Sequence, residues 1–398
     1  VTVTHAPASA PFDVAALRAA EFPHVGPGPY LNAASLTPTP LRTQRAVDEY
    51  NRRRVHIHEL WNAGAESFDR ILERARDAAA RLVGADADEI ALVPNTSYGI
   101  NLAAQILPVP AGSRIVLSAW EFPANVYPWM QRAREAGAEL VIVPADALGR
   151  PDEDRVMEEL DRGGVSVFAV SAVQFATGWR TDLVRLGRFC RERGIRFVVD
   201  GIQALGQVPI DVREAEIDVL ATGGQKWLCA PFGTGFAYVR RELASSLEPA
   251  VVGWTAMESA ADYARVVDYR WGYVGDARRF EVATQPMQDV AGLAASIGLL
   301  LEVGVERIRE HLREILDPLA RFVDEREGLE RVSDWSPERG SGIFCVRPRD
   351  LDAVSAALQR AGVVCVPREG AVRLSPHLYN TAEEIARVME VLDGVVPR

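Results

Sequence analysis

The chain has little cysteine: four residues in 398, at Cys190, Cys229, Cys345 and Cys365. They are scattered and form no C-x-x-C pair, which argues against a zinc site or a disulfide framework and makes the reduced cytoplasm the expected setting. Long apolar runs are also missing, with nothing near the roughly 20 residues that a membrane-spanning helix needs. The opening stretch VTVTHAPASAPFDVAALRAAEFPH has neither the basic start nor the apolar core of a signal peptide. Basic residues are in deficit: 44 Lys and Arg stand against 55 Asp and Glu, for a net charge of -11. A surface of that sign repels phosphate backbones and anionic lipid, so no nucleic acid and no membrane partner is expected. A local pocket for one small anion stays compatible with it. The rings of HIHEL, His56 and His58, are spaced i, i+2 and point to different faces of a helix, so no metal is expected. A full G-x-G-x-x-G turn is absent, and GTG at 233–235 fits a turn before a strand, which speaks against a nicotinamide-dependent oxidoreductase.

What remains is an ordinary globular composition, 48% hydrophobic and 25% charged, in a chain too long for one typical domain. The expected organisation is an N-terminal arm over residues 1–30 packing with a small domain, a large domain over 31–286 and a small α+β domain over 287–398. The arm holds a short helix from Asp13 to about Ala20. Tyr30–Asn32 reads as a short strand, and Pro40 opens a long polar helix through RTQRAVDEYNRRRVHIHELW. SFDRILERARDAAARLVG is amphipathic and stops near Gly84. Short apolar runs follow at Ile90–Val93, Ile115–Ser118, Leu140–Val143, Val167–Val170, Phe197–Val199 and Val219–Ala221, most of them separated by helical stretches. VSVFAV and IRFVVD are apolar throughout, as strands covered on both faces should be. Strands alternating with helices imply right-handed crossovers and a mostly parallel sheet, so the large domain is α/β. A long apolar helix over about Met287–Glu302 leads into helices that alternate with short strands.

In a parallel α/β sheet, ligands bind beyond the carboxyl ends of the strands. Two such ends carry polar residues that make sense together: Asp200 closes the run Phe197–Val199, and Lys226 follows the run Val219–Ala221. An acid and a lysine so placed fit a pyridoxal 5′-phosphate (PLP) site, in which the lysine forms a Schiff base and the acid pairs with the pyridine nitrogen. Read alone, Asp200 is equally a helix cap, and Lys226 an exposed turn residue. PNTSYGIN follows the strand IALV and opens a helix, where backbone N–H groups with the Thr96 and Ser97 hydroxyls can seat a phosphate or simply cap the helix. Phe122 lies after Ile115–Ser118, where an aromatic can stack on a flat ring or belong to the core.

The segments LNAASLTP, ALVPNTSYGIN, EFPANVYPW, VVDGIQALGQVPIDV, GGQKWLCAPFGTGFAYV, RRFEVATQP and VRLSPHLYNT occur in this order and span about residues 30 to 390. Together they resemble the class V aminotransferases, a branch of fold-type I PLP enzymes that includes cysteine desulfurases and isopenicillin N epimerase-like proteins. The resemblance implies that Lys226 carries the cofactor and shuttles the Cα proton, Asp200 pairs with the pyridine nitrogen, and Gln203 hydrogen-bonds the phenolic oxygen. Phe122, where many relatives have histidine, would stack on the ring, Thr96 and Ser97 would hold the phosphate, and Gln174 would sit near the cofactor's oxygen side. Thr284 matches the residue that reaches the neighbouring subunit's phosphate, which implies a homodimer with shared active sites. Arg373 matches the arginine that grips the substrate α-carboxylate, and Asn32, Ala33 and Ala34 would line the substrate pocket.

Two departures stand out. Many relatives have Ser-Gly-His-Lys where this chain has Gly223, Gly224, Gln225 and Lys226, so Gln225 or Thr222 is expected to replace the missing phosphate-binding serine. Desulfurases also need a thiol on a mobile loop ahead of the carboxylate arginine. Here VVCVPREGAVRLSP leaves no room for that loop, and Cys365 reads as a buried strand residue. The expected activity is therefore transamination of an α-amino acid. Cβ elimination, epimerisation and a non-catalytic PLP-fold binding protein are the alternatives, and joint retention of Lys226, Asp200 and Arg373 argues against the last.

Overall fold

The computed structural model describes residues 12–26, 28–61, 68–265 and 267–396. Seven strands build the larger sheet: β1 (Ile90–Leu92), β2 (Arg114–Ser118), β3 (Glu139–Val143), β4 (Val165–Ser171), β5 (Arg196–Asp200), β6 (Val219–Gly223) and β7 (Gly235–Val239). Their spatial order is β1-β7-β6-β5-β4-β2-β3. Strands β2 to β6 pair in parallel, and β7 runs antiparallel between β6 and β1. β1 therefore points the same way as β6, and the carboxyl ends of β1, β2, β4, β5 and β6 all meet one edge of the sheet. The glycine at Gly233 (φ +77) turns the chain into antiparallel β7, as expected of the GTG run.

The helices are α1 (Val14–Glu21), α2 (Leu41–Val55), α3 (His58–Trp61), α4 (Phe68–Val83), α5 (Thr96–Ile106), α6 (Tyr127–Ala136) and α7 (Glu153–Asp161). They continue with α8 (Leu183–Glu192), α9 (Arg241–Ser246), α10 (Met287–Val303), α11 (Val305–Asp324), α12 (Leu351–Arg360) and α13 (Ala382–Asp393). Side chains start several of them: Asn95, Asp152, Asp182 and Asp350 each accept from the N–H three residues on, at α5, α7, α8 and α12. α10 is apolar on nearly every side because it packs against both α2 and α4, where Thr43 and Ser296 satisfy each other's hydroxyls at 2.6 Å. Among the described residues no single helix is long and apolar enough to cross a membrane.

A second, smaller sheet comprises β8 (Leu329–Arg331), β9 (Phe344–Pro348), β10 (Val366–Arg368) and β11 (Ala371–Leu374), in the order β10-β11-β9-β8 and antiparallel throughout. The mixed α/β architecture is that expected, with two local differences. The single helix expected from Pro40 through Trp61 breaks at His56, whose N–H bonds back only to Arg53 O and so tightens the last turn. Cys365 lies just ahead of β10 and is half-buried, not a buried residue within the strand.

The N-terminal segment pairs with the chain at the ends of the smaller sheet. Leu31 N–H donates to Val364 O, Ser375 N–H to Leu31 O, and Ala33 N–H to Ser375 O, so the chain at 30–33 runs between the approach to β10 and the end of β11. α1 is tied to α13 by Arg18–Glu384 at 2.8 Å, and the Phe22 ring meets the Tyr379 ring at 4.7 Å. Residues 1–11 of the expected arm lie outside the described residues.

One buried ion pair anchors α4 to the large sheet. Arg76 grips both carboxylate oxygens of Glu281 at 2.9 and 2.8 Å, and Glu281 also accepts from the Leu92 N–H of β1 at 2.9 Å. Replacing Arg76 would strand a buried carboxylate. Arg76→Met is expected to lower stability by about 3 to 5 kcal/mol, read as an earlier urea midpoint at unchanged slope; an unmoved midpoint would remove the pair from any structural role.

Candidate active site

Four loops converge at the carboxyl edge of the large sheet. The loop after β6 carries Lys226, whose Nζ lies 5.4 Å from the centroid of the Phe122 ring, within cation–π range. Burial lowers the Lys226 ammonium to about 8; the Asp200 carboxylate opposes this, while the positive charges of Arg373 and Arg368 add to it. Asp200, the last residue of β5, is buried, and burial pushes its carboxyl up to about 6. The Ile202 N–H, 2.9 Å from Oδ1, and the charge of Lys226 hold it back from rising further. Near neutral pH the site thus offers an ionised acid beside an amine that readily gives up its proton, the form in which an amine is nucleophilic.

At the start of α5, Asn95 caps the Tyr98 N–H, and the first-turn N–H groups of Thr96 and Ser97 have no acceptor inside the helix. The Thr96 hydroxyl is buried and lacks a partner, an orphan that calls for a ligand acceptor. Facing it is Gly223. A Cβ there would meet Gln225 Oε1 at 2.7 Å and Thr96 Oγ1 at 3.3 Å, so the Gln225 amide fills the space beside the cradle that a side chain at 223 would take.

Arg373 of β11 is buried with only 2% of its surface exposed. Its guanidinium donates to Phe175 O at 3.0 Å and Ser35 Oγ at 2.6 Å, and its Nε has no partner. Among the described residues no carboxylate answers it, and burial pushes it down to about 10. A desolvated cation without a counter-charge is an anion site in waiting. Arg368 is the diagonal neighbour of Arg373 across the β10–β11 pair and is exposed, so its charge sits beside the same pocket.

The remaining expected residues divide. Ala33 and Ala34 are buried and give their N–H groups to Ser375, while the Asn32 Oδ1 is buried and unpaired. Gln203 accepts from Trp227 Nε1 at 2.8 Å and donates to Ala34 O at 3.0 Å, which leaves one N–H to give. Gly206 (φ +106) cannot carry a side chain, since a Cβ would come within 2.2 Å of Trp227 O. Phe122 is exposed, and its edge meets the Phe175 ring at 5.3 Å. Thr284 is exposed, and none of the hydrogen bonds around Lys226 involves it.

Two further expected residues already have partners within the protein. Gln174 Oε1 already accepts from Ala176 N–H, Thr177 N–H and Thr177 Oγ1, and its amide donates to Trp120 O, so it knits two loops together. The Thr222 hydroxyl is buried in β6 and donates to Gly223 O at 3.2 Å. Ser35, Phe175, Glu121 and Arg368 were not expected here. Ser35 and Glu121 sit inside the quoted segments LNAASLTP and EFPANVYPW, but only the fold shows what they touch.

The Aminotransferase class-V family model matches residues 29–388. The chain belongs to the class V aminotransferase family. Its relatives include a protein named "Probable cysteine desulfurase" of Methanothermobacter thermautotrophicus, 31% identical, with 92% of this chain and 94% of that protein covered. An uncharacterised aminotransferase of Bacillus subtilis is 29% identical, covering 87% of this chain and 88% of its own length. Among solved structures, a cysteine desulfurase from Thermococcus onnurineus in its apo state superposes with a TM-score of 0.84 at 24% identity, covering 96% of this chain and 98% of that one. PLP is the cofactor of the class V family. The residues present fit it: an amine for the aldehyde, an acid at the neighbouring strand end, and a cradle whose buried hydroxyl lacks an acceptor.

If Gln225 replaces the missing serine, Gln225→Ala is expected to weaken PLP binding roughly tenfold, the worth of one hydrogen bond to a charged group. Adding Gly223→Ser should restore part of the loss. Absorbance titration checks this, and an unchanged affinity in Gln225→Ala would remove the residue from the cradle.

Proposed function

We propose that the protein is a PLP-dependent aminotransferase that takes an α-amino acid, and that a tight hairpin beside Arg373 is what separates it from the persulfide-forming desulfurases. β10 and β11 are joined by Glu369 and Gly370 alone, with φ +45 and +78, the two-residue turn that favours left-handed residues. That turn has no length for a mobile thiol-bearing loop. The cysteines agree: burial raises Cys190 and Cys345 to about 12 and Cys365 to about 11, and it raises Cys229 further still. A thiol so raised is not a nucleophile at neutral pH.

PLP supplies an aldehyde that condenses with amines and a protonated ring that accepts the electron pair of a substrate Cα. The protein's residues do the rest. Lys226 would hold the cofactor through its amine, and the same amine, when free, would take a proton from the substrate Cα. Asp200 keeps a proton on the pyridine nitrogen, and the spare N–H of Gln203 points to a role at the phenolic oxygen. Thr96, Ser97 and Gln225 would hold the phosphate, and Phe122 would cover the ring. Arg373, with its unpaired Nε, grips the α-carboxylate, while Asn32, Ala33 and Ala34 close the pocket beside it. Fixing both ends of the substrate sets which Cα bond stands across the ring, and so which bond breaks. A homodimer is part of this reading. Tyr269 (88%), Trp271 (77%), Val267 and Phe232 are exposed apolar side chains of the kind that a second subunit covers. Sedimentation is expected to give twice the chain mass; a monomer that binds PLP and turns over would refute shared sites.

The purified protein is expected to show a visible absorption band that Lys226→Ala abolishes; a colourless wild type that takes up no PLP sinks the proposal. PLP uptake by the stripped chain should quicken as the pH rises through about 8, where Lys226 loses its proton. Arg373→Ala should raise KM for α-carboxylate substrates roughly hundredfold with the band intact. Amino acids should yield keto acids; sulfide released from cysteine, or racemised product, would point to elimination or epimerisation on the same residues.

A further inference from the structure

Phe122 is the ring that faces Lys226, yet its own exposed side chain has little to hold it there. Its place is set by the two residues before it. Trp120 adopts φ +60, a left-handed conformation unfavourable for a bulky residue, and its carbonyl accepts from Gln174 Nε2 at 2.7 Å. Glu121 turns inward and is buried. Its Oε1 accepts from Ser171 N–H at 2.8 Å, and its Oε2 accepts from Ser171 Oγ at 2.5 Å and Asn125 Nδ2 at 2.8 Å. Ser171 is the last residue of β4 and the register partner of Asp200 on β5.

The donors around Glu121 are dictated from outside it. Trp129 Nε1 can only donate, and it reaches Asn125 Oδ1 at 3.2 Å, so Asn125 must present its NH2 to Glu121. Ser171 N–H can also only donate. Each oxygen of Glu121 therefore meets an obligatory donor, which is the part of a carboxylate. Burial pushes this carboxyl up to about 7, with the charge of Asp200 adding to the rise and the three donors opposing it. An amide in its place would set an NH2 against either the Ser171 N–H or the Asn125 NH2.

We propose that Glu121 is a positioning residue of the reaction centre: its carboxylate anchors residues 120–122 to the end of β4 and thereby sets Phe122 against the group that Lys226 holds. The inference rests on Lys226 being the PLP lysine. It also links the two ends of the site, because the ring packed on Phe122 belongs to Phe175, whose carbonyl accepts from Arg373.

The test compares the PLP-loaded wild type with Glu121→Gln, Phe122→Ala and the double variant. The readouts are the PLP dissociation constant and the circular dichroism of the bound cofactor in the visible. Glu121→Gln is expected to weaken PLP binding roughly tenfold, the upper worth of an aromatic stacking contact, and to diminish the visible dichroism. In the Phe122→Ala background it should change neither. Wild-type affinity and dichroism in Glu121→Gln, or losses that add in the double variant, would overturn the proposal. Ser171→Ala removes one hydroxyl donor and keeps the N–H, so it carries the same test at about threefold if Glu121→Gln does not fold. A wild type that takes up no PLP defeats the reading of Lys226, whereas a PLP-binding wild type with unmoved variants defeats only the role of Glu121.

Discussion

The loop that carries Lys226 is held from three directions at the next residue, Trp227. Its indole N–H is taken by Gln203, whose amide in turn donates to Ala34 O. Its carbonyl accepts from the His377 ring at 2.9 Å, and burial keeps that histidine neutral by lowering it to about 4. Gly206 lets the same carbonyl pass close to the backbone. Two residues before Trp227, Gln225 O accepts from Thr37 N–H. The lysine loop is thus fastened to the N-terminal segment and to the chain just beyond β11, and a change in how the two sheets sit would be felt at Lys226. Buried polar networks of this kind hold one geometry because each member is needed to satisfy the next.

The electrostatics of the site run against those of the whole chain. A protein with a net charge of -11 keeps a buried arginine without an acid at Arg373, an exposed one diagonal to it at Arg368, and an amine at Lys226 whose proton is loosened by both. Leaving Arg373 unpaired is unfavourable for the empty protein and favourable for any ligand that brings a carboxylate. Asp200 ends β5 and Glu121 follows β2, on either side of the β4 end, each raised by burial and each restrained by donors.

The desulfurase name of one relative and the aminotransferase name of another describe proteins about equally similar to this chain. This chain itself has a two-residue turn beside Arg373 and thiols held protonated by burial. The overall fold is shared by all of them and so carries no choice of reaction.

Much was legible in the sequence because strands and caps are local. Apolar runs such as VSVFAV and IRFVVD could only be strands covered on both faces, and the acid and lysine at their ends marked one edge of a sheet. The family motifs then attached roles to Lys226, Asp200, Thr96 and Arg373. The sequence could not say which amides were already spoken for. Gln174 and Thr222 carry suitable groups, but Gln174 also binds the backbone of Ala176, Thr177 and Trp120, and Thr222 donates to Gly223 O, a matter of a few ångströms that no spacing rule encodes. Glu121 was missed for the converse reason. A glutamate beside a proline-containing loop reads as solvated, and only the meeting of Ser171, Asn125 and Trp129 around it turns it inward. By itself, then, the sequence determined the sheet through periodicity and put Asp200 and Lys226 near strand ends, while their expected roles came from the family resemblance. The tertiary structure alone decided which polar groups remain free for a ligand, because hydrogen bonds are satisfied by neighbours in space and not by neighbours in the chain.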